Sequence, residues 1–229
     1  MKLIDDFLHL LYPSGCLVCE KELSKFENHL CSFCLEKVSL TNFHLFKEAT
    51  SMDKLFWGRI TIHKSYSHLF FEKNKISQNI LFSLKYKNNP SIGIYFGEEM
   101  GEILNDIPEL SNVDAILPVP LHPKKQFSRG YNQSEMLAKG IAVAFPKKLD
   151  VKSVVRSTHS ETQTKKSRFQ RWDNVSGIFS IKNDIKHYQH ILIIDDVITT
   201  GSTIEAMANA ILSINPTVLI SVATLAIAK

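Results

Sequence analysis

The stretch ILIIDDVITTGSTI at residues 191–204 limits the choice of fold more than any other part of the sequence. Its four consecutive aliphatic residues predict a buried, central strand, because a strand covered on both faces has no polar side to alternate with. Two carboxylates, Asp195 and Asp196, follow at the expected carboxyl end of this strand. A Thr-Thr-Gly-Ser-Thr loop at 199–203 then leads into a predicted helix. In open parallel sheets ligands bind beyond the carboxyl ends of strands, so this stretch marks the expected site.

Strands and helices alternate through the second half of the chain, which predicts βαβ units and a mostly parallel α/β sheet. Helical spacing of apolar residues also occurs earlier, and one or two strands are expected around GRITIHKSYS. We expect three segments: a zinc-ribbon module at 1–45, a connection with helices at 46–110 and an α/β core at 111–229. The expected strands are VDAILPVP, DVKSVV, HILIIDDV and VLISVATLAI, and the expected helices are NKISQNILFSLKY, IGIYFGEEMGEILNDI, NQSEMLAKGIAVAF and STIEAMANAILSI.

All four cysteines lie in one short segment, as two C-x-x-C pairs formed by Cys16 and Cys19 and by Cys31 and Cys34. Four thiolates with this spacing are typical of a closed structural zinc site, which leaves no position open for catalysis. Two disulfides are the alternative. The other alternative is that His29 replaces one thiolate. A cytoplasmic chain favours the metal, because the cytosol keeps thiols reduced.

Composition indicates a globular protein, since 44% of the 229 residues are hydrophobic and 22% are charged. No stretch approaches the roughly 20 apolar residues that span a bilayer, and we expect a cytoplasmic protein. The net charge of +4 is unevenly spread, because residues 124–171 carry 12 Lys or Arg against 3 Asp or Glu. A basic strip of this kind fits an anionic ligand, although a solvated charged face is equally common.

The order of the pieces in residues 191–204 suggests the chemistry of the ligand. Two carboxylates accept hydrogen bonds from hydroxyls or hold Mg²⁺ through its waters. The loop amides at the positive end of a helix surround a phosphate. A diol beside a phosphate is what ribose 5-phosphate offers. The alternative is structural, because Ser202 followed three residues later by Glu205 is also the pattern of a capping box.

The loop ILIIDDVITTGST is similar to the phosphoribosyl pyrophosphate (PRPP) loop of type I phosphoribosyltransferases. More of the chain resembles one branch, the ComF-like proteins of natural competence. The resemblance lies in the four-cysteine segment, in LPVPLHPKKQFSRGYNQSEMLA and in VVRSTHSETQTKKSRFQRWDNVSGIF. It implies a phosphoribosyltransferase α/β core with a zinc ribbon in front.

The resemblance also implies roles for individual residues. It puts Asp195 and Asp196 on the ribose hydroxyls, and it puts the loop on the 5-phosphate. Residues 162–171 fall where related enzymes have a mobile loop that closes over PRPP. The alternative for any one lysine in this range, Lys165 or Lys166, is that it only makes the surface soluble, and the two interpretations are equally good. The implied 5-phosphate ligands are Thr199, Thr200, Gly201, Ser202 and Thr203. The implied pyrophosphate ligands are Leu121, His122, Lys124, Arg129, Lys165, Arg168 and Arg171.

The implied function is Mg²⁺-dependent binding of PRPP, with transfer of the phosphoribosyl group and release of pyrophosphate, in a protein linked to DNA uptake. The resemblance assigns no catalytic residue and no acceptor. The alternative is a non-catalytic adaptor that binds single-stranded DNA or a helicase during DNA uptake, and a third possibility is a scaffold without ligand. Aromatic residues near the basic strip would support the adaptor by stacking on bases, although all of them could equally be core. These residues are Phe127, Tyr131, Phe169 and Trp172.

Overall fold

A parallel five-stranded sheet forms the centre of the computed structural model, which describes residues 15–73, 75–156 and 177–228. The strands of this sheet run in the order β1-β7-β6-β2-β3. The strand that carries the aliphatic run, β6, is therefore central, as predicted. The strands are β1 (Ser65–Phe71), β2 (Ala115–Pro118), β3 (Lys148–Leu149), β4 (Val154–Arg156), β5 (Phe179–Ile181), β6 (His190–Ile198) and β7 (Leu219–Ala228).

Helices precede or connect these strands, and the four predicted helices are present with small changes at their ends. The helix that ends at Tyr86 is separated from the next helix by Asn88 and Asn89. The next helix begins at Pro90, because proline fits the first helical position. The α-helices are α1 (Ser32–Leu35), α2 (Ser51–Lys54), α3 (Ile76–Tyr86), α4 (Pro90–Asn105), α5 (Pro123–Arg129), α6 (Gln133–Ala144) and α7 (Ser202–Leu212). None of the described helices is both long enough and apolar enough to span a membrane.

Four strands differ from the expectation: β3 and β5 were not predicted, and two others begin later than expected. The strand expected in DVKSVV begins only at Val154 and pairs antiparallel with β5, so it lies outside the parallel sheet. The strand expected around GRITIHKSYS begins at Ser65 and runs on to Phe71, because the following residues are the ones that become buried. This strand, β1, pairs parallel with β7, so the segment expected to be a connection contributes an edge of the main sheet. The limits between the three segments stay a prediction.

Two glycines let α4 and α6 cross at close range. A Cβ atom added at Gly97 would lie 2.9 Å from the Cα atom of Gly140, which is closer than real Cβ contacts. The crossing fixes α6 beside the sheet, with the amino-terminal end of α6 near the carboxyl end of β6. One continuous cluster of buried apolar residues reaches from the cysteine segment to β7, so the cysteine segment packs on the same core.

Candidate functional site

The pairing of β2 with β6 brings two predicted ligand segments together. Pro118 is the register partner of Ile194, and the Val119 amide donates a hydrogen bond of 2.8 Å to the Ile194 carbonyl. Residues 119–122 therefore leave the sheet beside Asp195. Two of the predicted ligand segments therefore share one edge of the sheet.

Asp195 accepts two hydrogen bonds at one carboxylate oxygen. The donors are the Asp196 amide at 2.8 Å and the Ser134 hydroxyl at 3.0 Å. Burial raises the pKa of Asp195 to about 7, and the neighbouring Asp196 carboxylate acts in the same direction. The two hydrogen bonds and the Lys85 ammonium oppose this rise in pKa without cancelling it.

Asp196 forms an ion pair with a residue from another element. The Lys85 ammonium, near the end of α3, lies 3.0 Å from a carboxylate oxygen of Asp196. Asp196 is mostly buried, with 9% of its surface exposed, so this pair is only partly screened by water. Without a ligand, a lysine therefore balances one of the two carboxylates.

The loop at 199–203 has the geometry of an anion site. Gly201 has a φ of +76°, a left-handed conformation that glycine adopts without strain, and α7 begins at the next residue. The first amides of a helix have no intrahelical acceptor, and the start of α7 lies among the residues that line a small pocket, which are Asp195 and residues 197–204. The Thr200 and Ser202 hydroxyls lie 2.9 Å apart beside it. The loop thus offers amides and hydroxyls to one small anion.

The capping-box alternative for this loop is wrong. The residue that caps α7 is Gly201, which has no side chain to accept a hydrogen bond, and the Ser202 amide donates to the Thr200 hydroxyl at 3.5 Å. The Glu205 carboxylate instead accepts hydrogen bonds from the Arg59 guanidinium. Ser202 and Glu205 are therefore free of the structural role that the sequence pattern suggested.

Residues 119–122 are held by a neighbouring asparagine. The Asn132 side chain donates to the Val119 carbonyl at 3.0 Å and accepts from the Ser134 amide at 3.2 Å, so it caps α6 and fixes the turn. His122 caps α5, because its Nδ1 atom accepts from the Lys124 amide at 3.3 Å. Leu121 is only partly buried between them. Part of the predicted pyrophosphate segment thus lies next to the carboxylates.

Of the remaining predicted pyrophosphate ligands, two lie on α5 and three lie outside the described residues. Arg129 ends α5, donates to the Gln133 side chain at 2.9 Å and packs over the Tyr86 ring at 5.2 Å. The backbone of Lys124 lies at the start of α5, and its side chain is exposed. Lys165, Arg168 and Arg171 lie outside the described residues, as do Phe169 and Trp172.

A groove with exposed rings and cations lies next to Asp196. We call it the aromatic groove. Phe127 exposes 92% of its surface and Tyr86 exposes 62%. Tyr131, in contrast, is buried and donates to the Leu84 carbonyl, so it belongs to the core. The residues that line the groove are Lys85, Tyr86, Asn88, Lys125, Phe127, Ser128, Arg129 and Gly130.

Three residues that contact the site were missed by the sequence reasoning: Ser134, Lys85 and Arg59. Ser134 lies inside a quoted motif, so its closeness to Asn132 was a usable signal. Lys85 and Arg59 carry no such signal, because each comes from a helix or turn far away in the sequence.

The four cysteines form a possible metal centre. Their sulfur atoms all lie within 4.8 Å of one another, and the Sγ atoms of Cys19 and Cys31 are 3.6 Å apart. The thiols are free, so the two disulfides are not formed. The edge of a zinc–thiolate tetrahedron is roughly 3.8 Å, because each Zn–S bond is about 2.3 Å, so the cluster fits zinc.

Local contacts act differently on two of the thiols, since burial raises the pKa of Cys34 to about 12 while the pKa of Cys16 is shifted the other way. Burial pushes the pKa of Cys16 upward, but backbone amides that donate to its sulfur, including that of Cys31, lower the pKa to about 6. His29 lies outside the cluster and packs edge-on against the Tyr95 ring of α4, at 5.6 Å between centroids. The histidine thus attaches the cysteine segment to the core.

Comparison with known proteins agrees with this architecture. Residues 132–229 match the family profile described as "Phosphoribosyl transferase domain". Over 214 residues the chain is 26% identical to competence protein ComFC of Bacillus subtilis, an alignment that covers 90% of this chain and 81% of that protein. The chain is a ComF-like protein with a phosphoribosyltransferase domain. The expected α/β phosphoribosyltransferase fold is confirmed.

Other relatives of this ComF-like chain align over shorter regions. Competence protein F of Haemophilus influenzae is 36% identical over 107 residues, which are 44% of each chain. The DNA utilization protein YhgH of Escherichia coli K12 is 32% identical over 99 residues, which are 43% of each chain. The alignment therefore spans less than half the length of these two relatives. A solved glutamine PRPP amidotransferase from B. subtilis has a TM-score of 0.43 and 16% identity, covering 62% of this chain and 30% of that one.

Proposed function

We propose that the protein binds Mg²⁺-PRPP at the carboxyl edge of β6 and transfers its phosphoribosyl group to an acceptor with release of pyrophosphate. The observation that carries this proposal is the relative position of three segments at the edge of the sheet. Two carboxylates at the end of a central strand are followed directly by a glycine-centred loop at a helix start, and residues 119–122 lie beside them. These parts match the diol, the 5-phosphate and the pyrophosphate of a single ligand.

In this proposal the carboxylates of Asp195 and Asp196 accept hydrogen bonds from the ribose hydroxyls. The amides and hydroxyls of residues 199–203 bind the 5-phosphate, with help from the positive end of α7. Residues 119–122 contact the pyrophosphate. Catalysis then comes from positioning the anomeric carbon and from stabilising the charge on the leaving group.

Mg²⁺ fits this site because hard carboxylate oxygens are its preferred protein ligands. Asp195 and Asp196 would hold the ion through its waters, and the ion would neutralise charge on the departing pyrophosphate. Binding at Asp196 also requires a change in an ion pair of the free protein. Lys85 must give up its contact with Asp196 when a cation or a diol takes its place.

The wider role is proposed from the relatives. One relative is named a DNA utilization protein and two are named competence proteins, which supports a role of this chain in DNA uptake. We assign the protein to the cytoplasm, where reduced thiols favour a structural zinc ion at the cysteine cluster. A helicase partner stays a prediction of the family resemblance.

The test is calorimetric titration of Mg²⁺-PRPP into the zinc-loaded protein. The variant is Asp195→Asn with Asp196→Asn, and the control is Asp106→Asn with Asp184→Asn, which removes two charges from the surface elsewhere. We expect the wild type and the control to bind and the site variant to lose at least tenfold in affinity, which is about 1.4 kcal/mol. Equal binding by the site variant and the control would refute the assignment of the carboxylates. A pyrophosphate-release assay with candidate acceptors then decides whether transfer occurs.

A second function, binding of single-stranded DNA, is favoured by the aromatic groove. Single-strand binding sites combine cations that follow the phosphates with rings on which bases stack. The groove offers the exposed rings of Phe127 and Tyr86 among Lys85, Lys125 and Arg129. We include this binding in the proposal as an additional activity of the same chain.

Fluorescence anisotropy with a labelled oligothymidine tests this second function. We expect affinity to fall steeply as salt rises, and Phe127→Ala to weaken binding about tenfold, since stacking contributes roughly 1–3 kcal/mol per base. The matched control is Phe26→Ala, because Phe26 is also almost fully exposed but belongs to the cysteine segment. Equal affinity of the two variants would exclude the groove as the DNA site.

A further inference from the structure

Arg59 contacts the phosphate loop from a distant part of the chain. It follows α2 and precedes β1, and it lies 141 residues before its partner Thr200. The neighbouring Phe56 ring packs on the outer side of the loop, where a Cβ atom added at Gly201 would lie 3.1 Å from it. Neither Phe56 nor Arg59 lines the small pocket, so the turn that contains them supports the loop from outside the pocket.

The Arg59 guanidinium uses all of its donor groups in this place. Its Nη1 atom donates to the Thr200 carbonyl and, at 3.0 Å, to the Leu55 carbonyl. Its Nε atom donates to Glu205 at 3.1 Å, and its Nη2 atom donates to Glu205 and, at 3.4 Å, to the Ser202 hydroxyl. A guanidinium has five N–H donors in a fixed plane, and here each has an acceptor. Arg59 is thus committed to the protein and has no donor left for a ligand.

The bond to the Thr200 carbonyl sets the direction of the next amide. In a trans peptide the C=O and the following N–H point to opposite sides of the plane. Because the guanidinium holds the Thr200 carbonyl on the outer side, the Gly201 N–H points to the inner side. The bonds to Ser202 and Glu205 fix the first turn of α7 in the same orientation.

We infer that Arg59 is a positioning residue that holds the phosphate loop in its anion-accepting conformation. The inference rests on the proposed function only for the identity of the anion. A lysine cannot replace Arg59, because one ammonium cannot reach the Thr200 carbonyl and the Glu205 carboxylate with the planar geometry of a guanidinium. The ion pair with Glu205 also keeps the guanidinium at the loop when no anion is bound.

The experiment compares the full-length wild type, Arg59→Lys, Arg59→Ala and a control, Lys64→Ala. Lys64 forms a surface ion pair with Glu109, so the control removes one cation from the same strand region without touching the loop. Hydrogen exchange of the amides at 200–203 is measured without ligand, and titrations use ribose 5-phosphate and, separately, Mg²⁺-pyrophosphate. We expect both Arg59 variants to exchange these amides about tenfold faster and to bind ribose 5-phosphate about tenfold more weakly, as for one lost hydrogen bond to a charged group.

The second ligand separates positioning from a general loss of structure. Affinity for Mg²⁺-pyrophosphate should change less than about twofold, because that ligand does not occupy the phosphate loop. Unchanged exchange and unchanged ribose 5-phosphate affinity in both variants would overturn the inference, and so would an equal loss of affinity for both ligands. If Arg59→Ala does not fold, the inference is tested with Arg59→Lys and Glu205→Gln instead. Both variants are expected to exchange the amides at 200–203 faster than the wild type. If the wild type binds no ribose 5-phosphate but the variants exchange faster, the positioning role stands and the proposed function fails.

Discussion

Replacing Asp195 with Asn is expected to stabilise the protein at and above neutral pH, although Asp195 lies in the proposed site. Burial, with the Asp196 carboxylate beside it, raises the pKa of Asp195 from 3.8 to about 7. The folded state therefore favours the protonated form. Stability contributed by this carboxyl is complete below about pH 4 and is lost as the pH rises towards 7, where the folded state has to ionise it.

The size of the effect follows from the shift in pKa. At about 1.4 kcal/mol per pKa unit, the change from 3.8 to about 7 corresponds to at most roughly 4 kcal/mol, and water at the partly exposed side chain reduces this to about 2–4 kcal/mol. Asparagine avoids this loss and keeps the local contacts, since its Oδ1 atom also accepts from the Asp196 amide and the Ser134 hydroxyl. For a chain of this length, we expect the Tm of the variant to rise by about 5–10 °C at pH 8.

The assay is thermal unfolding of wild type and variant at several values between pH 4.5 and 8, with the same metal loading. The gap in Tm should be small at pH 4.5 and should widen as the pH rises. Asp114→Asn is the matched control with the opposite sign. Burial raises the pKa of Asp114, but the His190 and Gln189 amides donate to its carboxylate and lower the pKa overall, so this variant should lose stability at pH 8. A Tm of Asp195→Asn that is lower than that of the wild type at pH 8 would refute the reasoning.

Four further changes test other parts of the structure. The native protein should contain about one zinc per chain by elemental analysis, and removal of this zinc by a chelator should lower the Tm, because the metal holds the four cysteines together. Gly201→Ala should cost about 1–2 kcal/mol in urea unfolding, since its φ is +76°, and should weaken ribose 5-phosphate binding in titration. Gly97→Ala should cost about 1–3 kcal/mol in the same urea assay without a direct effect on the site, because the added methyl group meets the backbone of α6. Lys85→Met should raise the pKa of Asp195 further, as measured by NMR of its carboxyl carbon, because the ammonium lowers it in the native protein.

The sequence predicted the part of the site that is continuous in the chain. The aliphatic run, the two carboxylates and the glycine loop follow one another, so strand, loop and helix could each be assigned from local pattern. The residues that hold these groups in place come from elsewhere: Ser134 lies 61 residues before Asp195, and Arg59 lies 146 residues before Glu205. No local period encodes such contacts, because they depend on how parallel strands and crossing helices pack.

Sheet order was unpredictable for a similar reason. Parallel strands are joined by crossovers, so β1 could have paired with any neighbour, and only the folded structure places it beside β7. The sequence also could not show which aromatic side chains are buried in the core and which are exposed on the surface. Phe127 and Tyr131 are four residues apart in the same motif, yet Phe127 is exposed and Tyr131 is buried.

The site combines a phosphate loop that is held in place with two carboxylates whose charge is partly balanced by exchangeable groups. The phosphate loop is held before any ligand arrives, because Arg59 donates to Thr200, Ser202 and Glu205 in the free protein. The charge of the two carboxylates is lowered in the free protein in two ways: the raised pKa of Asp195 favours its protonated form, and the Lys85 ammonium pairs with Asp196. A ligand with a diol and a bound Mg²⁺ would replace both the proton and the ammonium, so binding near pH 7 should release protons. Because Lys85 is one of the cations that line the aromatic groove, its release from Asp196 would free its ammonium for a ligand in that groove.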